Sequence, residues 1–296
     1  MRRSLSILVV VVAAGAAMGW FATAASPLPD DTYAGLAGDA AQGEQVFWAA
    51  GCASCHMAPG AEGDASLVLS GGQKFVTDFG TFIAPNISPD PTHGIGGWNL
   101  LAFGNAVQRG VSPEGQHYYP AFPYAAYQNM QVQDVADLKA FMDTLPPSTM
   151  PSAAHDLPFP FNIRRSIGGW KLLFWPKGWA VTADLTKVEQ RGRYIAEAMA
   201  HCGECHTPRN ALGGSDRGRW LAGAANPSGE GRIPNITLAK LGWTEPEIIE
   251  YLTSGFTPEY DNAGGHMARV VENMARLPES DRAAVAAYLK RVEPVE

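Results

Sequence analysis

Apolar residues recur along this chain at helical spacing. Val46, Phe47 and Ala50 share one face of a predicted helix over 39–50, and Ile195 and Met199 do the same in a helix over 188–200. Thr244-x-x-Glu247 forms a capping box that opens a helix with Ile248, Tyr251 and Leu252 on one side. Two amphipathic helices stand far apart in the chain, one lined by Val135, Leu138, Phe141 and Met142, the other by Val285, Tyr288, Leu289 and Val292. Strand-like alternation is nearly absent. Residues 145–180 are rich in proline and aromatics, which predicts an irregular connector.

The pattern repeats. Cys52-Ala-Ser-Cys55-His56 is answered 150 residues later by Cys202-Gly-Glu-Cys205-His206, and Pro85-Asn86-Ile87 is answered by Pro234-Asn235-Ile236. Gly97-Trp98 recurs as Gly242-Trp243, and Gly115-Gln-His117 as Gly264-Gly-His266. Four landmarks in one order predict a duplicated all-α unit, with domains over 36–148 and 185–296 joined by a connector over 149–184. Residues 1–30 form a separate leader. It begins Met1-Arg2-Arg3, and residues 5–25 carry no charge, a run of 21. A cleaved secretory signal ending near Ala22-Thr23-Ala24 is one reading. An uncleaved membrane anchor is favoured, because about 20 apolar residues suffice to span and Trp20 and Phe21 resemble an interfacial pair. Under the positive-inside rule Arg2 and Arg3 stay cytoplasmic. Either way the body of the chain is exported, on the periplasmic side of a bacterial inner membrane or free in the periplasm.

Composition narrows the class. With 46% apolar and 17% charged residues the chain can bury a core. Its 22 basic and 29 acidic residues give a net charge of −7, and −9 once Arg2 and Arg3 leave with a cleaved leader, which disfavours nucleic acid as partner. All four cysteines lie in the two Cys-x-x-Cys-His segments. That motif is the attachment signature of c-type haem: the thiols of Cys52 and Cys55, and of Cys202 and Cys205, form thioethers, and His56 and His206 become proximal iron ligands. The helix ahead of each motif is expected to run through it. Zinc is disfavoured, since a structural site needs four ligands, and no strand–helix alternation supports a redox dithiol. Two covalent haem c groups are the expected cofactors.

Each iron then needs a distal ligand or an open site. Met57 is too close to the first motif and Met142 falls on a packing face, which leaves Met130, in the loop before a helix, ahead of Met150. In the second unit Met267, in a glycine-rich loop, is preferred to Met274. Methionine raises a haem potential relative to a second histidine. His117 and His266 are the alternatives, with solvent-facing or propionate-bonding roles otherwise.

The segments 115–124 (GQHYYPAFPY), 84–89 (APNISP), 202–210 (CGECHTPRN) and 264–267 (GGHM) resemble the cytochrome c subunits of membrane-bound alcohol, gluconate and fructose dehydrogenases. The resemblance runs from about residue 40 to the end. It implies tandem cytochrome c-like domains, electron transfer from a dehydrogenase subunit to a respiratory acceptor, and the ligand set His56, Met130, His206 and Met267. It further implies that the Pro85 and Pro234 carbonyls bond the proximal imidazoles. Two departures stand out: Phe122 replaces a methionine common in relatives, and the chain has two haem motifs where those subunits typically have three. Arg209 is weighed as a propionate partner against a surface role, and Trp98 and Trp243 as haem-edge packing. The expected protein is a carrier without catalytic chemistry; the alternative is a dihaem enzyme such as a cytochrome c peroxidase. A further reading gives 159–175 a docking role, against plain interdomain packing.

Overall fold

The computed structural model describes residues 2–226 and 231–296. Met1, where the leader begins, and 227–230, inside the expected second domain, lie outside the described residues, as do the Arg2 and Arg3 side chains.

The leader forms α1 (Arg2–Ala22). Among the described residues no helix is long and apolar enough to cross a membrane, so the expected transmembrane anchor is not supported. Helix α1 opens on Arg2 and Arg3 and stops at Ala22. Its C-terminal end is stitched to the body instead. The Arg165 guanidinium bonds the Trp20 carbonyl and lies over the Trp20 ring, and the Thr23 and Ser26 carbonyls meet the His117 ring and Arg109.

The body follows one plan twice. Helix α2 (Ala40–Ala50) is capped by the Asp39 carboxylate and ends at Gly51, and α3 (Cys52–His56) carries the first motif. The hairpin of β1 (Lys74–Thr77) and β2 (Gly80–Ile83) follows, then α4 (Leu100–Gly104) continuing as a π-helical turn (Asn105–Arg109). Next come α5 (Tyr124–Tyr127) and α6 (Val132–Met142). After α7 (Ser166–Phe174), helix α8 (Lys187–Arg193) opens on a Thr186–Glu189 capping box and passes into a π-helical turn (Tyr194–Met199). Helix α9 (Gly203–His206) carries the second motif and is followed by the hairpin of β3 (Ala224–Ala225) and β4 (Arg232–Ile233). The chain closes with α10 (Glu245–Ser254), opened by the expected Thr244–Glu247 box, α11 (Gly265–Met274) and α12 (Glu279–Leu289).

Two expectations are corrected. The fold is helical with two short hairpins, in the first of which the residues flanking the Asp78-Phe79 turn pair Lys74 with Ile83 through Thr77 with Gly80. No helix runs unbroken through either motif, because Gly51 (φ 66°) and His201 (φ 43°) are left-handed and break it. The connector is also not irregular throughout, since it holds α7.

In each half the first and last helices cross at a glycine. A Cβ on Gly43 would lie 1.9 Å from the Asp137 carbonyl oxygen, and one on Gly192 would lie 1.9 Å from that of Ala284. These glycines stand 149 residues apart and the motif cysteines 150 apart. The extra residue is absorbed by the π-helical turn 194–199, the form in which a helix takes an insertion without losing its crossing.

Helix α7 bridges the halves. Trp170 Nε1 donates to the Leu212 carbonyl at 2.9 Å, Phe174 packs under Gly214, and Lys171 donates to the Arg109 and Gly110 carbonyls at 2.6 and 3.0 Å. Packing therefore accounts for Trp170 and Phe174 in the 159–175 segment. Burial lowers the Lys171 ammonium to about 7 despite the Tyr124 and Trp175 rings beside it, with Arg109 adding to the shift. Between about pH 7 and the ordinary lysine range, about 10.4, the unfolded chain binds a proton that the folded chain does not. Stability from this site thus rises with pH across that window and is lost as pH falls through it. The melting temperature of Lys171→Met is expected to lack the increment that the wild type gains between pH 7 and 9.5. Equal increments in both proteins would remove Lys171 as the cause.

Candidate functional site

Both motifs present the same donors. His56 Nδ1 lies 2.9 Å from the Pro85 carbonyl oxygen and His206 Nδ1 lies 2.8 Å from that of Pro234. A carbonyl only accepts, so each Nδ1 carries the proton and each Nε2 keeps its lone pair for a metal. Burial holds both imidazoles below the ordinary histidine value, against the opposing pull of the proline carbonyl, so they stay neutral. The hairpins have a purpose here: β1–β2 and β3–β4 return the chain so that these prolines face the histidines. Gly71 and Gly223 close the same loops by donating to the His56 and His206 carbonyls, at 2.7 Å each.

The four cysteines are free thiols. Burial pushes the Cys52 and Cys202 thiols up to about 12. At neutral pH they remain thiols, the opposite of the low-pKa cysteine of a redox dithiol. Cys55 and Cys205 are exposed, so their sulfurs are open to a planar group laid against α3 and α9. Among the described residues no three His, Cys, Asp or Glu side chains converge as metal ligands. Each segment thus offers one imidazole and two sulfurs on a single turn, a set that suits a covalently attached haem.

A buried asparagine clamps each proline loop. Asn86 Nδ2 donates to the Ser148 and Met150 carbonyls at 2.7 and 2.8 Å, while its Oδ1 accepts from Ser88 N at 2.9 Å. Asn235 Nδ2 donates to the Val295 carbonyl at 2.7 Å and its Oδ1 accepts from Thr237 N at 2.8 Å. The repeat marked both residues without indicating that they tie the proline loop to the chain beyond the last helix.

The two motifs face one another. Tyr127 donates to the Ala50 carbonyl at 2.9 Å, and its ring lies 5.6 Å from that of His201. Reciprocally, Asn273 Nδ2 donates to Ser54 Oγ at 2.9 Å, and the Arg276 guanidinium lies 4.0 Å from the Trp48 ring centroid. Helix α5 of the first half meets the entrance to the second motif, and α11 of the second half meets the entrance to the first. His201 has no counterpart in the landmarks; the signal was its place before Cys202, where the first unit has Gly51. A non-glycine residue in left-handed backbone costs about 1–2 kcal/mol. His201→Ala keeps that strain and loses the ring, whereas His201→Gly loses both. Denaturant titration is expected to find the alanine variant less stable by about 1 kcal/mol, and equal stabilities would show the backbone to be unstrained.

The distal candidates diverge. Met267 stands in the first turn of α11 rather than in a loop, half-buried against the core. Met130 is buried, in the bend before α6 as expected, and its carbonyl accepts from Gln108 Nε2 at 2.8 Å. Met57, Met142 and Met274 are core residues and Met150 is exposed. His117 is buried with Nε2 on the Thr23 carbonyl at 3.0 Å, while His266 is exposed. The expected match of 115–117 with 264–266 is corrected by pairing: Val111 bridges His117, and Phe256 bridges Asn262, so His117 answers Asn262. Arg209 is committed to Glu204 and to the Gly213 carbonyl. Trp98 and Trp243 pack against the core.

Comparison with known proteins agrees with this geometry. The cytochrome c family profile matches residues 40–146. A dihaem cytochrome c-type protein of Cereibacter sphaeroides is 59% identical over 100% of both chains. The fructose dehydrogenase cytochrome subunit of Gluconobacter japonicus is 38% identical over 85% of this chain and 52% of its own length. The gluconate 2-dehydrogenase cytochrome c subunit of Pantoea cypripedii is 33% identical over 88% of this chain and 62% of its own.

Proposed function

The chain belongs to the dihaem c-type cytochromes, and from that premise we propose that it is an exported electron carrier. Its cofactor is covalently bound haem c. In this reading two tandem cytochrome c domains, 36–148 and 185–296, each hold one haem through Cys52 and Cys55 or Cys202 and Cys205. His56 and His206 are the proximal ligands and Met267 is distal to the second iron. The donor is a dehydrogenase, the chemistry named for several relatives, and the acceptor is a respiratory protein. The excess of acidic residues favours a basic docking face. Export follows from the charged and apolar start of the chain, since covalent haem attachment takes place on the exported side.

The observation that carries the proposal is the facing of the two motifs across Tyr127 and His201. When bound, haem supplies a one-electron iron couple. The chain does the rest. Pro85 and Pro234 hold the Nδ1 protons, fix the imidazole planes and keep Nε2 basic. The thioether positions on α3 and α9 fix the two sites relative to one another, and the packed seam keeps that spacing constant.

Expression with haem-maturation machinery tests the proposal. A mass increment of two haems, reversible uptake of two electrons, reduction by a dehydrogenase and negligible peroxide turnover are expected. Rapid peroxide consumption would make the chain an enzyme instead. Fractionation and external proteolysis of spheroplasts check export, and a chain protected inside the cell would refute it.

A further inference from the structure

The distal loops of the two halves can be aligned by hydrogen bonds alone. In the first half the Gly110 carbonyl accepts from Tyr118 N, and Ser112 N donates to the Gln116 carbonyl, both at 2.8 Å. In the second half the Gly255 carbonyl accepts from Ala263 N, and Thr257 N donates to the Asp261 carbonyl, again at 2.8 Å. Tyr118 therefore answers Ala263. At the other end Met130 N donates to the Tyr127 carbonyl and Leu277 N to the Met274 carbonyl, each one residue before the cap of the last helix. Met130 thus answers Leu277, and both are buried to 4% exposure.

Between these anchors the second half carries Met267, four residues beyond Ala263. Four residues beyond Tyr118 stands Phe122. The second loop is two residues longer, so counting back from the last helix sets Pro120 opposite Met267 instead. Neither count finds a methionine. Phe122 packs with three tyrosines: Tyr118 at 6.1 Å, Tyr124 at 6.2 Å and Tyr127 at 5.8 Å between ring centroids. Met130 meanwhile fills a core position that the second half fills with leucine, and a leucine ligates nothing.

We propose that the iron bound by His56 has no methionine ligand, and that its sixth position takes exchangeable neutral diatomic ligands such as carbon monoxide or nitric oxide. The iron bound by His206 is closed by Met267. The side chains around Phe122 are aromatic, which suits a small neutral ligand. The two sites then differ in potential as well as in access, because a thioether raises the potential of the iron it binds. The proposal rests on the haem assignment above.

The experiment uses the holoprotein, with a mass of two attached haems established first; fewer haems would overturn the assignment and not this inference. The oxidised near-infrared-edge band of methionine–iron ligation and the carbon monoxide difference spectrum of the reduced protein are then recorded. Wild type is expected to show the band for half of its haem and to bind carbon monoxide at the other half. Met130→Leu, which installs the residue of the second half, should change neither spectrum, and Met267→Ala should abolish the band. Phe122→Met should double the band and suppress carbon monoxide binding. A wild-type band for both haems that halves in Met130→Leu would overturn the proposal, as would a reduced protein that binds no carbon monoxide.

Discussion

Gly192→Ala is expected to lower stability by about 3 kcal/mol or more, although alanine is the better helix former by about 1 kcal/mol. The added methyl would sit 1.9 Å from the Ala284 carbonyl oxygen and 2.7 Å from the Tyr288 Cβ, where α8 crosses α12. Neither obstacle is the end of a flexible side chain, so the helices must separate. Separation would disturb Tyr288, whose hydroxyl donates to Glu197 at 2.7 Å and accepts from Trp220 Nε1 at 3.0 Å. Against a typical total of about 5–15 kcal/mol the loss is large. Gly43→Ala should act alike, since its Cβ would meet the Asp137 carbonyl at the same distance. Chemical denaturation checks both, and a variant as stable as wild type would mean that the helices do not cross at contact distance.

The second large effect is expected from Asn86→Ala. The substitution removes the partner of the Ser148 and Met150 carbonyls and of the Ser88 amide, Ser88 being fully buried, at about 1–3 kcal/mol for each group that water fails to reach. A loss of about 3 kcal/mol is expected, together with a shift in the optical spectrum of the first haem, because Pro85 adjoins Asn86. Asn235→Ala likewise strands three groups, the Val295 carbonyl and the Thr237 amide and hydroxyl. It should cost about as much and move the second haem only. A spectrum unaffected by Asn86→Ala would detach the clamp from the proximal ligand.

Much of the site was legible because it is local. Cysteines and histidine within five residues declare their chemistry without a fold, and the resemblance to dehydrogenase cytochrome subunits implied the Pro85 and Pro234 partners. What escaped depends on distances between segments far apart in sequence. Gly43 and Gly192 look like indifferent helix residues until another backbone crosses them. His201 looks like a variable neighbour of the motif until its φ angle and the Tyr127 ring are seen. The strands were missed because Phe75 to Thr77 and Thr81 to Ile83 are too short to show alternation. The matching of 115–117 with 264–266 failed for a related reason: a shared glycine and histidine mimicked a register that backbone pairing places four residues earlier, at Asn262. Met130 and Met267 looked equivalent because each was chosen among several methionines for a place in a loop, whereas the hydrogen-bond register sets Met130 opposite Leu277.

The reciprocal seam has one more consequence. Helix α5 against the second motif and α11 against the first amount to an approximate two-fold contact, the closed arrangement by which identical subunits pair. Here both copies lie on one polypeptide, so α7 and its flanks hold them at an effective concentration in the millimolar range or above for a short tether. A free dimer would have to draw its whole affinity from that surface, and selection would hold the two sides alike. A tethered pair is released from this demand. One side can keep Gly51 while the other accepts His201, and one loop can keep Met267 while the other accepts Phe122, without the pair falling apart.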